Sequence, residues 1–364
     1  LVHQAQSDFA NVGDINDVTT ATMGAAGLWE IARVQSVAGT TLTLGTTLGA
    51  SYSSAGTARA HACAVPEYTD VTVAAGGTIE ASDWDGASGG VVAFYANGIA
   101  QIDGRLDADS EGFRGGDRSQ NGGGNGVTLD TTNSTDGGGR GEGLDGRSLG
   151  ANGRGHRANG AGGGNAHNAG GGGGGGAGRG GSGGFQGEGN PQEPNTRGRS
   201  GRAVLITGAE RLVLGGGGGG GQQDDGGGAR GARGGGAIVF FANDLRGTGT
   251  VDVDAAYGSD ATGVDGAGGG GAGGMIVIHV ATSAFLGELS AEGGGGGTAG
   301  GNSTTDNYAS GPGGGGGGGW IVAPAVVTTS TTIEVNGGRA GYLQDESSND
   351  FGSTAGDAGV VVNP

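Results

Sequence analysis

Carboxylates at alternate positions are the most frequent chemistry-bearing pattern in the chain. They occur as Asp83 with Asp85, Asp107 with Asp109 and Asp252 with Asp254, and Asp224 adjoins Asp225. On a strand, residues i and i+2 share a face, so each alternate pair offers hard oxygen ligands side by side. Asp107, Asp109, Asp252 and Asp254 are therefore candidate calcium ligands, and the same spacing equally describes a solvated face that keeps a sheet edge soluble. Paired carboxylates such as Asp83 and Asp85 also suit glycoside hydrolysis. Segments of the form G-x-S-x-G begin at Gly86, Gly146 and Gly180, the spelling of a serine-hydrolase elbow. Such matches arise by chance among 98 glycines, and none lies between a strand and a helix. The histidines (His3, His61, His156, His167, His279) lack metal-ligand spacing. Cys63 alternates with small residues as a buried strand thiol does. No catalytic residue is assigned, an enzyme is not expected, and calcium is the only cofactor the pattern suggests.

Composition narrows the partners. The chain has 364 residues, 98 of them glycine, and a formal charge of −18 with arginine supplying all 18 basic residues. Such a chain repels nucleic acid and anionic membrane surfaces. No segment approaches the roughly 20 apolar residues that cross a bilayer, so membrane insertion is not expected. Arg197, Arg199 and Arg202, in RGRSGR, have the spelling of an RNA-binding arginine–glycine segment. The overall acidity points instead to ion pairs with the many aspartates. Collagen is excluded, because no strict Gly-X-Y period runs through the tracts.

The elements that must position these residues are strands and glycine tracts. In Gly162–Gly184 only eight of 23 positions are not glycine, and shorter tracts occupy Gly215–Gly221, Gly268–Gly274, Gly293–Gly297 and Gly313–Gly319. Glycine forms extended threefold helices that can pack side by side through main-chain hydrogen bonds, but the ordering cost of about 1–2 kcal/mol per residue roughly cancels the gain. Neighbouring apolar strands must therefore hold the tracts. Trp84, Phe94, Tyr95, Phe240, Phe241 and Trp320 are the expected anchors. Strand starts at Ala237, Met275, Trp320 and Val360 are spaced 38, 45 and 40 residues apart, an imperfect period of the kind repeat proteins show. Residues 1–73 alternate in the two-residue period of half-buried strands and read as a small antiparallel β module, with a hairpin turn at Ala38–Gly39. The opening residues LVHQAQ read as the middle of a strand, so a preceding segment is expected. The expectation is an all-β chain: this module (1–73), then a repeat-like β-solenoid or sandwich packed with polyglycine II helices (74–364).

Within 74–364, GGVVAFYANG…DGRLDADSEGFRGG and runs such as GGGGGGGAGRGG resemble the glycine-rich extracellular proteins of Gram-negative bacteria. More distantly they resemble phage tail-tip adhesins with packed polyglycine II layers. The resemblance implies an extracellular or cell-surface structural protein: a fibre or filament subunit that self-associates, with adhesion to surface glycans as a further role. Strand edges at Leu1 and at Val360–Pro364 are the expected points of strand addition. A receptor- or glycan-binding tip would use the excursions 117–145 and 298–312 as contact loops. The same strands also suit a carbohydrate-active β-solenoid, or an ice-binding surface built on Thr41/Thr43 and Thr248/Thr250. Asn133 and Asn302 open glycosylation sequons.

Overall fold

Five times a glycine runs directly into a short apolar segment, at Gly90, Gly236, Gly274, Gly319 and Gly359, and each time that segment becomes a strand of one sheet. A computed structural model describes residues 1–8, 17–119, 137–146, 152–185, 196–224, 226–300 and 309–364. The N-terminal part gives β1 (Val2–Gln6), β2 (Val18–Thr19), β3 (Trp29–Glu30), β4 (Val34–Ala38), β5 (Thr41–Leu44) and β6 (Arg59–Ala62). There follow β7 (Glu67–Tyr68), β8 (Val71–Val73), β9 (Thr78–Glu80), β10 (Val91–Ile102), β11 (Arg105–Asp107) and β12 (Val204–Leu205). The remainder is β13 (Ala237–Gly247), β14 (Thr250–Asp252), β15 (Met275–Phe285), β16 (Glu288–Ser290), β17 (Trp320–Val322), β18 (Thr332–Glu334) and β19 (Val360–Val362), with one short helix among the described residues, α1 (Ala325–Thr328).

Seven strands form a parallel sheet in the order β19-β17-β15-β13-β10-β7, with β8 also on β10, and five form a second parallel sheet, β18-β16-β14-β11-β9. Register is set by the glycines. The N–H groups of Ala237, Met275, Trp320 and Val360 donate to the carbonyls of Gly90, Gly236, Gly274 and Gly319, the residues that precede the neighbouring strand each time. The large apolar residues then align in rows, Val92–Ile238–Ile276–Ile321–Val361 in one sheet and Ile79–Leu106–Val251–Leu289–Ile333 in the other. These rows meet in one core between the sheets, filled by Phe94, Phe240, Ile278 and Phe285. The opposite face of the larger sheet (Val239, Met275, Val277, Trp320) packs on Trp84, Phe113, Leu212 and Leu214.

This architecture corrects the expected fold class. The chain does not wind into a β-solenoid with an antiparallel module attached; its two large sheets are parallel, as in α/β proteins. Parallel sheets need cover on both faces and long crossovers, which helices normally supply. Here the crossovers run through glycine segments, so strand recurrence in the sequence resembled solenoid coils. Segment 1–73 contributes β7 and β8 to the seven-stranded sheet, and β2 pairs with β12. Among the strands, antiparallel pairing occurs in β3-β1-β6 and in the β4–β5 hairpin, whose turn places Gly39 at φ +59°. Strand β1 lies between two neighbours, so Leu1 is not at an edge as expected; β18 and β19 are.

The glycine segments form a bundle with its own regular bonding. Along Gly215–Gly221, the N–H groups of 215, 218 and 221 donate to Gly235, Ala232 and Ala229, those of 216 and 219 to Gly175 and Gly172, and those of 217 and 220 to Glu142 and Gly139. Their carbonyls accept, with the same three-residue period, from Phe113/Gly116/Ser119, Ala272/Gly269 and Ala161/Gly164. Residues three apart point the same way, which is the signature of an extended threefold chain. One tract is thus held by six neighbouring segments through bonds of 2.8–3.2 Å, and each of its main-chain polar groups is satisfied. Gly313–Gly319 repeats the pattern, donating to Gly297/Gly294/Ala291, Gly171/Gly174 and Thr354/Asp357. Such close approach requires glycine: a Cβ on any residue of Gly215–Gly221 would lie under 3.0 Å from a neighbour's carbonyl oxygen.

Candidate functional site

Parallel register brings the four candidate calcium ligands together. β11 and β14 align Asp107 with Asp252, and Asp109 and Asp254 follow two residues on. Each pair closes its strand with the same turn: Asp109 N–H donates to Asp107 Oδ1 (3.0 Å) and Asp254 N–H to Asp252 Oδ1 (2.8 Å). The Arg105 guanidinium sits among them, 2.8 Å from Asp252, 3.2 Å from Asp107 and 3.5 Å from Asp109. Asp254 instead accepts from Ser290 Oγ and Glu292 N–H, both at 2.6 Å. Burial, with Asp254 as neighbour, pushes Asp252 up to about 7, and burial also raises Asp254. Among the described residues no group of three or more His, Cys, Asp or Glu side chains is arranged to hold a metal ion. The Arg105 guanidinium bridges three of these four carboxylates.

The aromatic anchors divide between the two faces of the larger sheet. Phe94 and Phe240 stack inside the inter-sheet core, with centroids 5.2 Å apart. On the other face Tyr95, Phe241 and His279 form a half-buried ladder, at 4.3 and 4.6 Å with interplanar angles of 11° and 5°. Trp84 is fully buried, edge-on to Phe113 and His61, and Trp320 is buried in the same core. The ladder ends at Tyr95, opposite Glu67 of β7. There a cleft of about 600 Å³ opens, walled by Leu1, Ile31, Val34, Cys63 and Val65, with the Arg33–Glu67 ion pair also lining it. An aromatic ring beside an apolar wall and a charged pair is the chemistry that holds one apolar face and several hydroxyls of a ligand.

Two groups escaped sequence reasoning. His3 and His61 face each other across β1 and β6, with Nδ1 of His3 3.0 Å from Nε2 of His61. Because His3 Nε2 must donate to the Leu212 carbonyl (2.9 Å), Nδ1 accepts from His61, and the His3 ring is neutral. Burial and the adjacent His61 lower His3 to about 3. Glu111 is pushed up to about 7 by burial and by Asp83 beside it. Neither contact is visible in sequence spacing, since 58 residues separate one pair and strands β10 and β11 lie between the members of the other.

The remaining motifs are accounted for by local structure. Asp85 Oδ1 accepts from the N–H groups of Ala87 (2.7 Å) and Ser88 (2.8 Å), so the Gly86 segment is a capped turn. Ser182, in the Gly180 segment, pairs its backbone with Thr354 in the bundle. Arg114, Arg157 and Arg179 pair with Glu142, Asp145 and Asp17, whereas Arg197 meets the Gly352 carbonyl and the Phe185 ring. The sequons at Asn133 and Asn302, Asp225, residues 147–150 of the Gly146 segment and much of the 117–145 and 298–312 excursions lie outside the described residues. No helix among the described residues is long and apolar enough to cross a membrane. No protein-family model matches the chain, and no curated protein or solved structure matches it either.

Proposed function

We propose that the chain is an extracellular structural protein, a subunit that adds end to end into a surface fibre. The observation that carries this reading is the six-neighbour bonding of Gly215–Gly221, an interior tied together main chain to main chain with no side chain to loosen it. Both parallel sheets end at one side in edge strands, β18 and β19, and at the other in β9 and β7/β8. The apolar row from Ile79 to Ile333 is half-buried at both ends, so another copy's strands would extend it. Such head-to-tail addition does not close on itself and grows a filament.

Electron microscopy of the purified chain at rising concentration tests the reading. Filaments whose growth stops in Val361→Lys, a change confined to the β19 edge, are the expected result. Monodisperse single copies at every concentration would overturn it. A second reading, adhesion to glycans, is favoured by the Tyr95 cleft; Tyr95→Ala is then expected to abolish binding on a glycan array while the fold persists by circular dichroism.

A further inference from the structure

The β4–β5 hairpin stands apart from the cores of the molecule. Among the described residues its strands pair only with each other, so both outer edges are open. Val37 lies opposite Leu42, and a register shift between Val34 and Ser36 sets Val34 opposite Leu44. Without that extra residue Val34 and Val37 would point to opposite faces, since an odd number of positions separates them. With it, Val34, Val37, Leu42 and Leu44 share one face, and Ser36, Thr41 and Thr43 share the other. None of the four apolar residues belongs to a hydrophobic core, and Val34, Val37 and Leu42 are 45%, 66% and 47% exposed. No charged side chain occurs between Arg33 and Arg59, although the chain as a whole carries −18.

We propose that this hairpin is a contact between two copies of the chain, joined edge to edge along β5 about a twofold axis. Natural edges are guarded by charge, proline or a bulge; β4 carries the register shift, whereas β5 (TLTL) carries none of these. A strand that pairs antiparallel with its own copy is self-complementary, so one open edge serves both partners. The product is a four-stranded sheet, β4-β5-β5-β4, with the two apolar faces continuous on one side. A lone two-stranded hairpin is marginal in water, and the added strands remove that weakness. The identity of the partner follows from charge. Two chains of −18 repel over most of their surfaces, and this neutral stretch lets them meet without opposing carboxylates. A basic partner would be drawn instead to carboxylates, which the stretch between Arg33 and Arg59 lacks. The contact closes at two copies and does not involve the β19 edge, so it is separate from end-to-end growth.

The test is sedimentation velocity of the full chain carrying Val361→Lys, at concentrations below filament growth, so that pairing is read apart from the fibre. A concentration-dependent two-copy species is expected, weakened at least about a hundredfold by adding Leu42→Lys, which sets two like charges against each other across the axis. Lysine also lowers the net charge of each copy, so non-specific association would strengthen rather than fail. Should Leu42→Lys fail to fold by circular dichroism, Val37→Lys, on the same exposed face, carries the same reading. Single copies at every concentration overturn the proposal and leave the face to a partner of other chemistry. Pairs of unchanged affinity in the folded variants overturn it too, and assign the pairing to another surface. Pairs in a parent chain that never forms filaments would sink the fibre reading and leave this one standing.

Discussion

The glycine bundle and the two-sheet core fill the interior of one molecule by opposite means. Between the sheets, Phe94, Phe240, Ile278 and Phe285 exclude water with side chains, and the backbone bonds only to adjacent strands. In the bundle, Gly215–Gly221 has no side chains and bonds to six segments at once. The first region draws on apolar burial, worth about 25 cal/mol per Å², and tolerates small changes of shape. The second draws on hydrogen bonds that each return about 0.5–1.5 kcal/mol net, and it offers no free space. Neither stands alone: the sheets hold the ends of the tracts, and the glycines before each strand set the register of the sheets.

The sharpest way to break that contrast is to add one carbon to the bundle. Gly218→Ala places a methyl against the Gly269 carbonyl, and the obstacle is backbone on every side. We expect a loss of more than about 4 kcal/mol or failure to fold, measured by denaturant titration. Gly45→Ala, where the nearest atom would be the Arg33 carbonyl oxygen at 3.6 Å, should cost under about 0.5 kcal/mol. Equal effects at the two sites would remove the distinction between bundle and ordinary loop. In the sheet core the matching experiment subtracts. Phe240→Ala deletes a ring with no exposure that stacks on Phe94, and should cost about 3–5 kcal/mol.

Two titrating groups sharpen the comparison further, because they pull in opposite directions. His3, in the N-terminal sheet, is lowered from 6.5 to about 3 by burial. Its contribution is therefore complete above pH 6.5 and is lost as the pH falls towards 3. Asp252, at the margin of the sheet core, is raised from 3.8 to about 7, so its contribution is complete below 3.8 and is lost as the pH rises through 7. Between pH 6.5 and 5 a single such histidine costs about 2 kcal/mol. His3→Gln should then make the protein more stable on acidification, and Asp252→Asn less stable, as read from melting temperatures at both pH values. Parallel slopes in both variants would show that neither group controls the pH response.

The sequence made some of this legible and hid the rest for identifiable reasons. Dense apolar strands at Val91, Ala237, Met275 and Trp320 announce themselves by composition, and all lie in the larger sheet. Their parallel order does not, because it depends on where a glycine crossover returns, and glycine carries no periodic pattern. The Asp-x-Asp pairs were visible as shared faces, but Arg105, two residues before Asp107, reads as an ordinary strand residue until register places it against Asp252. His3 and His61 belong to different strands, so no spacing rule joins them. The Tyr95 cleft depends on β7 lying beside β10, a pairing of two residues that propensity cannot register.

The smallest expected effect lies on the aromatic ladder and asks how far a perturbation travels. His279 stacks on Phe241 at 4.6 Å, and burial lowers its pKa, so the ring is neutral at pH 7. His279→Ala removes one stacked ring from a half-buried face and should cost about 1 kcal/mol. His279→Phe keeps the stack and should fall within about 0.5 kcal/mol of the parent. Amide exchange in Gly215–Gly221 should be unchanged in both, because side-chain contacts on the sheet face fail locally. A bundle segment instead shares each residue with several neighbours, so damage there has no local way out. Faster exchange across the glycine tract in His279→Ala would show that the two regions behave as one cooperative unit.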